Sequence, residues 1–352
     1  MEKRLLNFLK DLAEAPGPSG FEQAPQEVYR KFITPYVDDV KTDVHGNVIA
    51  SKKGKGKKRI ALIAHIDEVG LMVKYIDDQG FVKFSTIGVI DLALLPGLRV
   101  NIYHGNEIVR GVVGAKPIHV YKGWERDKAI TLDELWIDIG AKDKKDAQKM
   151  VSVGDFITYN PGIEHLPNHL ILTKAADNRA GVFAIAAVLS NLENEAIEAN
   201  VFAVSTVQEE LFYRGAITST FGIDPHIGLV VDITLATDHP TIDKNFYGEI
   251  QLNKGVVITL GANINPRVFE ILKSAAELAK LDYQVEAIAG TTVTDANAVQ
   301  ISRSGVATGV VSIPHRYAHT PSEIISVKDL ESTVELLTQF CRMIDDNTNL
   351  IP

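Results

Sequence analysis

Apolar residues in this chain fall into two kinds of run, and the two kinds predict different elements. Near-continuous apolar stretches occupy residues 58–64, 201–208, 226–231 and 305–313. A strand buried on both faces reads in this way, over about 4–8 residues, so these four predict the centre of an open α/β sheet. Helical periodicity instead marks the amino-terminal stretch, a second segment after the Pro16–Gly20 loop, the alanine-rich stretch 180–189, residues 266–280 and the chain after Val327. A hairpin turning at His45-Gly46-Asn47 precedes the first buried run.

Between Gly70 and about Pro167 the pattern changes. Short runs at 71–76, 80–84, 98–102 and 107–113 are separated by turn signals, and helix patterns are scarce, as expected for a small barrel or sandwich. The organisation predicted is therefore an α/β catalytic domain made of residues 1–69 and 168–352, a mixed sheet flanked by helices, with a β-rich domain inserted at 70–167.

Composition narrows the class only modestly. With 352 residues, 45% of them hydrophobic and 23% charged, the chain has room for a sizeable core and two domains. A net charge of −9 argues against general affinity for nucleic acid or acidic membranes. No apolar window approaches a membrane span, and charges interrupt the amino-terminal stretch where a signal peptide would need an apolar core, so a cytoplasmic location is expected. The single cysteine, Cys341, excludes an intrachain disulfide framework and falls in a helical stretch where a core thiol is the expectation.

Chemistry-bearing residues gather at the downstream ends of the apolar runs. His65 closes the first and is followed by Asp67 and Glu68. Glu209-Glu210 follow the second, Asp232 the third, and the fourth leads into His315 and His319 between two prolines. Asp177 stands before the alanine-rich helix, where a carboxylate is favoured. Open α/β sheets place ligands outside the carboxyl ends of their strands, so these positions converge. Imidazole and carboxylate without thiolate suit zinc, cobalt or manganese. A ligand set of His65, Asp177, Glu210, Asp232 and either His315 or His319 could hold two divalent ions about 3.5–4 Å apart and activate a bridging water. Glu209 would then be free as general base, with Asp67 accepting the second N–H of His65. His45 and His104, each before Gly-Asn, read as turn residues, Asp238-His239 as a solvated turn, and the basic run 51–59 as a charged hairpin end because it lacks phosphate-loop spacing.

Together, Ala64-His65-Ile66-Asp67-Glu68-Val69-Gly70, Asp177-Asn178-Arg179, Thr206-Val207-Gln208-Glu209-Glu210, Val231-Asp232 and the stretch from Pro314 through His319 to Glu323 resemble the M42 family of glutamyl or deblocking aminopeptidases, in older usage cellulase M. The motifs occur in order over nearly the whole chain. The resemblance implies a zinc-exopeptidase-like domain with an inserted PDZ-like β domain used in assembly, and two divalent ions, zinc or cobalt foremost and manganese as an alternative. It implies His65 and Asp232 on one ion, Glu210 and His319 on the other, Asp177 bridging and Glu209 as base. It also implies removal of the amino-terminal residue of peptides and self-association into a tetrahedral dodecamer.

Two rival functions belong to other classes. A glycosidase needs two carboxylates flanking one bond, from which adjacent side chains such as those of Glu209 and Glu210 diverge. A non-catalytic binding homologue has no use for a complete set of ligands and base. One departure from the family pattern stands out: Leu211-Phe212-Tyr213-Arg214-Gly215 occupies the place of Val-Gly-Leu-Arg-Gly, so an aromatic replaces a glycine beside the paired glutamates. It is expected either to narrow the approach to the metals or to be a compensated packing change.

Overall fold

The structure is a computed structural model and describes residues 1–120, 122, 128–160 and 162–352. In chain order it runs α1 (Lys3–Glu14), α2 (Gln23–Ile33), β1 (Asp39–Thr42), β2 (Val48–Lys52) and β3 (Arg59–His65). There follow β4 (Gly70–Ile76), β5 (Val82–Ile87), β6 (Arg99–His104), β7 (Glu107–Gly114), β8 (Trp136–Asp138), α3 (Lys144–Ala147) and β9 (Phe156–Tyr159). The remainder is β10 (Ile163–Leu166), β11 (Leu170–Thr173), α4 (Ala176–Asn191), β12 (Asn200–Thr206), α5 (Arg214–Ile223), β13 (Ile227–Leu235) and α6 (Lys244–Tyr247). It closes with β14 (Val256–Gly261), α7 (Pro266–Leu278), β15 (Tyr283–Ile288), α8 (Ala296–Val299), β16 (Ala307–Arg316), β17 (Glu323–Ser326) and α9 (Val327–Met343).

Two sheets share these strands. An eleven-stranded mixed sheet has the order β1-β2-β12-β3-β13-β16-β17-β11-β10, with β14 and β15 attached beside β16. At its centre β12, β3, β13 and β16 are parallel neighbours, and their side chains are buried almost without interruption. That is why they read as continuous apolar runs rather than alternating ones. The helix α4 is apolar on every side, and a helix of that kind has to be interior. It packs on β3, β12 and β13 and carries α1, α2 and α9 on its outer surface, while α5 and α8 form a second layer on the sheet.

The second sheet is a closed barrel of β4, β5, β8, β7, β6 and β9, built around its own core of Leu71, Val73, Val82, Phe84, Ile102, Ile137 and Ile157. Its strands alternate buried and less buried positions, as a surface packed on one side requires. Among the described residues no helix is long and apolar enough to cross a membrane.

Two details differ from the sequence reading. Asp232 does not end its strand: β13 continues to Leu235, because β16 pairs with it up to His315 after β3 has left at Val230. Pro314 is itself a strand residue. It sits where β16 changes its second neighbour, after β14 has paired with Val311 and Ser312 and before β17 pairs with His315, so its missing N–H falls in the gap.

Candidate metal centre

Register aligns the functional ends. Thr206 pairs with His65, and Val230 pairs with Ile63, so two residues further on Asp232 comes level with His65. The paired glutamates leave β12 through Gln208, which has a left-handed backbone (φ 57°), and enter a single 3-10 turn. Asp177 is brought in from the opposite side by the start of α4. Gly181 allows this approach: a Cβ there would lie 2.8 Å from the Val231 carbonyl oxygen, and Asn178 Nδ2 donates to the same oxygen at 2.8 Å.

The side chains form two groups, His65–Glu209–Asp232 and Asp177–Glu210–His319, within each of which the potential donor atoms lie within 4.8 Å of one another. Asp177 joins them. Its Oδ1 is 3.1 Å from His65 Nε2 and its Oδ2 is 3.3 Å from His319 Nε2. Glu210 Oε1 lies 3.2 Å from the same His319 nitrogen, and Asp232 Oδ1 and Glu209 Oε2 lie 3.8 and 3.9 Å from His65 Nε2. His319, not His315, faces this cluster. His315 is wholly buried with Nδ1 against the Thr234 carbonyl at 3.3 Å.

Both imidazoles are held in the same sense. His319 Nδ1 is 2.7 Å from the carbonyl oxygen of Val89, and His65 Nδ1 is 3.2 Å from that of Asp67. Carbonyl oxygen accepts only, so Nδ1 carries a proton and donates, which turns each Nε2 into the cluster. The carboxylate of Asp67 stands at 3.5 Å from His65 Nδ1. Its stronger bonds are elsewhere: it accepts from Ser19 Oγ at 2.6 Å and from the backbone N–H groups of Glu209 and Glu210 at 3.1 and 3.2 Å. Asp67 therefore fixes the main chain of the glutamate pair as well as facing the histidine.

Electrostatics pull the carboxyls of this cluster in two directions. Burial pushes the carboxyls of Glu209 and Asp232 well above the ordinary range, with His65 only partly compensating, and burial raises Glu210 as well. Asp177 goes the other way: burial opposes its ionisation, but hydrogen bonds from His319 and His65 outweigh that and hold it well below the usual carboxylate range. Burial opposes charge on His319 too, yet Asp177 and Glu210 raise it to about 11. Four carboxyls thus converge on two imidazoles, an excess of oxygen donors that divalent cations would balance.

Support for the cluster comes from residues to which the sequence reading gave no role of their own. Glu323 accepts from the backbone N–H of Asp177 and of His319, both at 2.9 Å, tying the two inner ligand positions together. A carboxylate four residues after His319 was the available signal. Glu68 is buried with Lys174 at 2.6 Å and Arg179 at 3.5 Å, and accepts from the Gly17 N–H at 2.9 Å. The Val89 carbonyl had no sequence signal at all, since every backbone has one.

The cluster forms the floor of a cavity of about 630 Å3 whose walls include Phe212, Tyr213, Ile233, Leu235, Ile288 and Tyr317. His104 and Cys341 fall outside it. His104 bonds Asp155 at 3.0 Å, and Cys341 is buried in α9. Asp238 is no solvated turn residue: it binds Arg316 at 2.7 Å, because β13 extends far enough to bring it beside the end of β16. The neighbouring His239 lines the cavity.

A sheet that delivers histidines and acids to one apolar-walled cleft has the arrangement of an active site, and comparison with known proteins makes it that of a hydrolase acting on peptides. The chain belongs to the M42 glutamyl aminopeptidase family, whose model matches residues 46–336. It is 33% identical to the lysyl aminopeptidase of Pyrococcus furiosus over 94% of each chain. Its fold matches the TET aminopeptidase of the archaeon Thaumarchaeota archaeon SCGC AB-539-E09 with a TM-score of 0.94 at 30% identity, covering 98% of both chains. It also matches the Pyrococcus horikoshii TET1 peptidase, described as assembling into a tetrahedron or a large octahedral shell, with a TM-score of 0.86 at 30% identity over 97% of this chain and 100% of that one.

Proposed function

We propose that this chain is a dinuclear-metal aminopeptidase in which His65 and Asp232 hold one divalent ion, Glu210 and His319 hold the other, and Asp177 bridges them. The observation that carries this reading is the position of Asp177, whose two carboxylate oxygens each face a different imidazole nitrogen. Oxygen and imidazole donors without sulfur fit zinc, cobalt or manganese. Bound ions would supply Lewis-acid polarisation of the scissile carbonyl and acidify a water.

The protein's own part is orientation and proton transfer. Asp67 holds the backbone of the glutamate pair so that Glu209 and Glu210 project into neighbouring groups of the cluster. Glu209 is the general base: burial raises its proton affinity towards the range a base needs at neutral pH. The apolar walls exclude water from around the substrate side chain and leave the peptide's amino end to the acidic floor. The barrel at 70–167, the counterpart of a PDZ-like module in this reading, serves assembly into a closed homo-oligomer.

Glu209→Gln should abolish nearly all release of amino-terminal residues from p-nitroanilides while two ions per chain remain bound by elemental analysis, and Asp177→Ala should lose both ions. Activity in the parent should disappear with chelator and return with metal. A Glu209→Gln variant that lost its metal but kept activity in metal-supplemented buffer would exchange the roles of the two glutamates.

A further inference from the structure

Away from the histidine–carboxylate floor the cavity crosses the sheet from β13 over β16 and β14 to β15, lined in this direction by Thr234, Ser312, Val310, Thr259, Ile288 and Glu286. Register places these side by side: Asp232 pairs with Ser312, Ser312 with Val257, and Thr259 with Glu286. At the far end the half-buried Glu286 carboxylate receives two hydroxyls, Thr234 Oγ1 at 2.6 Å and Thr259 Oγ1 at 3.3 Å. No basic side chain among the described residues pairs with it.

Removing a charge from water without a partner is unfavourable, and hydroxyl donors satisfy only part of a carboxylate's four lone-pair sites. Beyond the acidic floor, the guanidinium that also lines this cleft, Arg316, is neutralised by Asp238 at 2.7 Å, so Glu286 brings an unpaired carboxylate to the far end of the pocket. Its distance from the chemistry is also fixed by the strand. Asp232 and Thr234 are two residues apart on β13 and share a face, roughly 7 Å along the strand, and Glu286 is bonded to Thr234. That separation is comparable to the reach of a lysine or arginine side chain whose α-carbon lies beside the ions.

We infer that Glu286 is the specificity-determining residue of this site and that the enzyme prefers peptides whose amino-terminal residue is cationic. The aliphatic stem would lie on Ile288 and Val310, and the terminal ammonium or guanidinium would complete the coordination of Glu286 that Thr234 and Thr259 begin. This rests on the aminopeptidase reading above.

The discriminating pair of substrates is lysine and norleucine p-nitroanilide, of similar length with and without the charge, tested on the metal-loaded protein alongside the glutamate derivative. The lysine-to-norleucine ratio of kcat/KM is expected to exceed about 10, with the glutamate derivative poorest of the three. Glu286→Gln should lower that ratio about 10- to 100-fold, and Thr259→Val should lower it by less, because one of two supporting hydroxyls remains. A parent ratio near one, or an unchanged ratio in Glu286→Gln, overturns the assignment, and the parent ratio decides the matter even if the Glu286→Gln variant does not fold. Absence of turnover with every anilide instead overturns the peptidase reading and this inference with it.

Discussion

The Lys174–Glu68 pair offers a sharp test of how the centre is held in place. Lys174 is 1% exposed and Glu68 3%, with 2.6 Å between their charged atoms. Replacing Lys174 by Met keeps length and apolar volume but leaves the Glu68 carboxylate buried. Breaking a buried pair in this way costs about 3–5 kcal/mol. Glu68 keeps the Gly17 N–H and the more distant Arg179 guanidinium, which places the expectation near the lower end, about 3 kcal/mol. With an unfolding entropy of about 2.1 cal/mol/K per residue, 352 residues give roughly 0.7 kcal/mol/K, so Tm should fall by roughly 4 °C. The assay is thermal unfolding followed by circular dichroism at matched protein concentration, since association also shifts Tm. Glu68→Gln in the same background removes the stranded charge, and the double variant should recover part of the loss. Additive losses in the double variant, or a Tm essentially equal to the parent's for Lys174→Met, would refute the argument that this pair clamps the loop leading to Asp177.

Phe212 has a left-handed backbone (φ 72°) and is 81% exposed, so Phe212→Gly relieves roughly 1–2 kcal/mol of backbone strain against a glycine entropy cost of roughly 0.5–1 kcal/mol. Denaturant titration should show the variant at least as stable as the parent, and because Phe212 walls the cavity, the ranking of p-nitroanilides by kcat/KM should change; an unchanged ranking would make the residue purely structural. Cys341 is buried with its thiol pushed up to about 12, so an aromatic disulfide reagent should label it only after denaturant is added, and rapid labelling of the native protein would contradict its placement. Light scattering under native conditions should report a particle several-fold heavier than one chain; a concentration-independent monomer would remove the proposed role of the barrel.

Much of this centre was legible because continuous apolar runs mark interior parallel strands, and the residues that follow such runs must emerge on one edge. His65 and the Glu209-Glu210 pair follow that rule. Asp232 broke it because its strand is extended by a partner from far along the chain, a pairing that local sequence does not encode. The choice between His315 and His319 depended on strand alternation and on where β16 ends, and the family pattern carried information that composition and spacing lacked. Lys174 and Glu286 act through neighbours distant in sequence, as does Glu323 in its bond to Asp177, and there periodicity has nothing to say. Glu286 in particular reads as an ordinary strand-edge acid until β14 and β13 bring two threonine hydroxyls to it.

The bond from His319 to Val89 joins the two sheets at a sensitive point. Val89 follows β5 of the barrel, and its main-chain oxygen sets the tilt of an imidazole that faces Asp177 and Glu210. In the proposed metal centre, a load on the barrel that displaced this oxygen would change how well His319 could hold an ion. Thermodynamic linkage would make the effect reciprocal, so an ion held through His319 would change the strength of whatever contact the barrel makes by the same factor. If that contact were another copy of the chain, as the proposed assembly has it, the stoichiometry of metal and the size of the particle would cease to be independent variables.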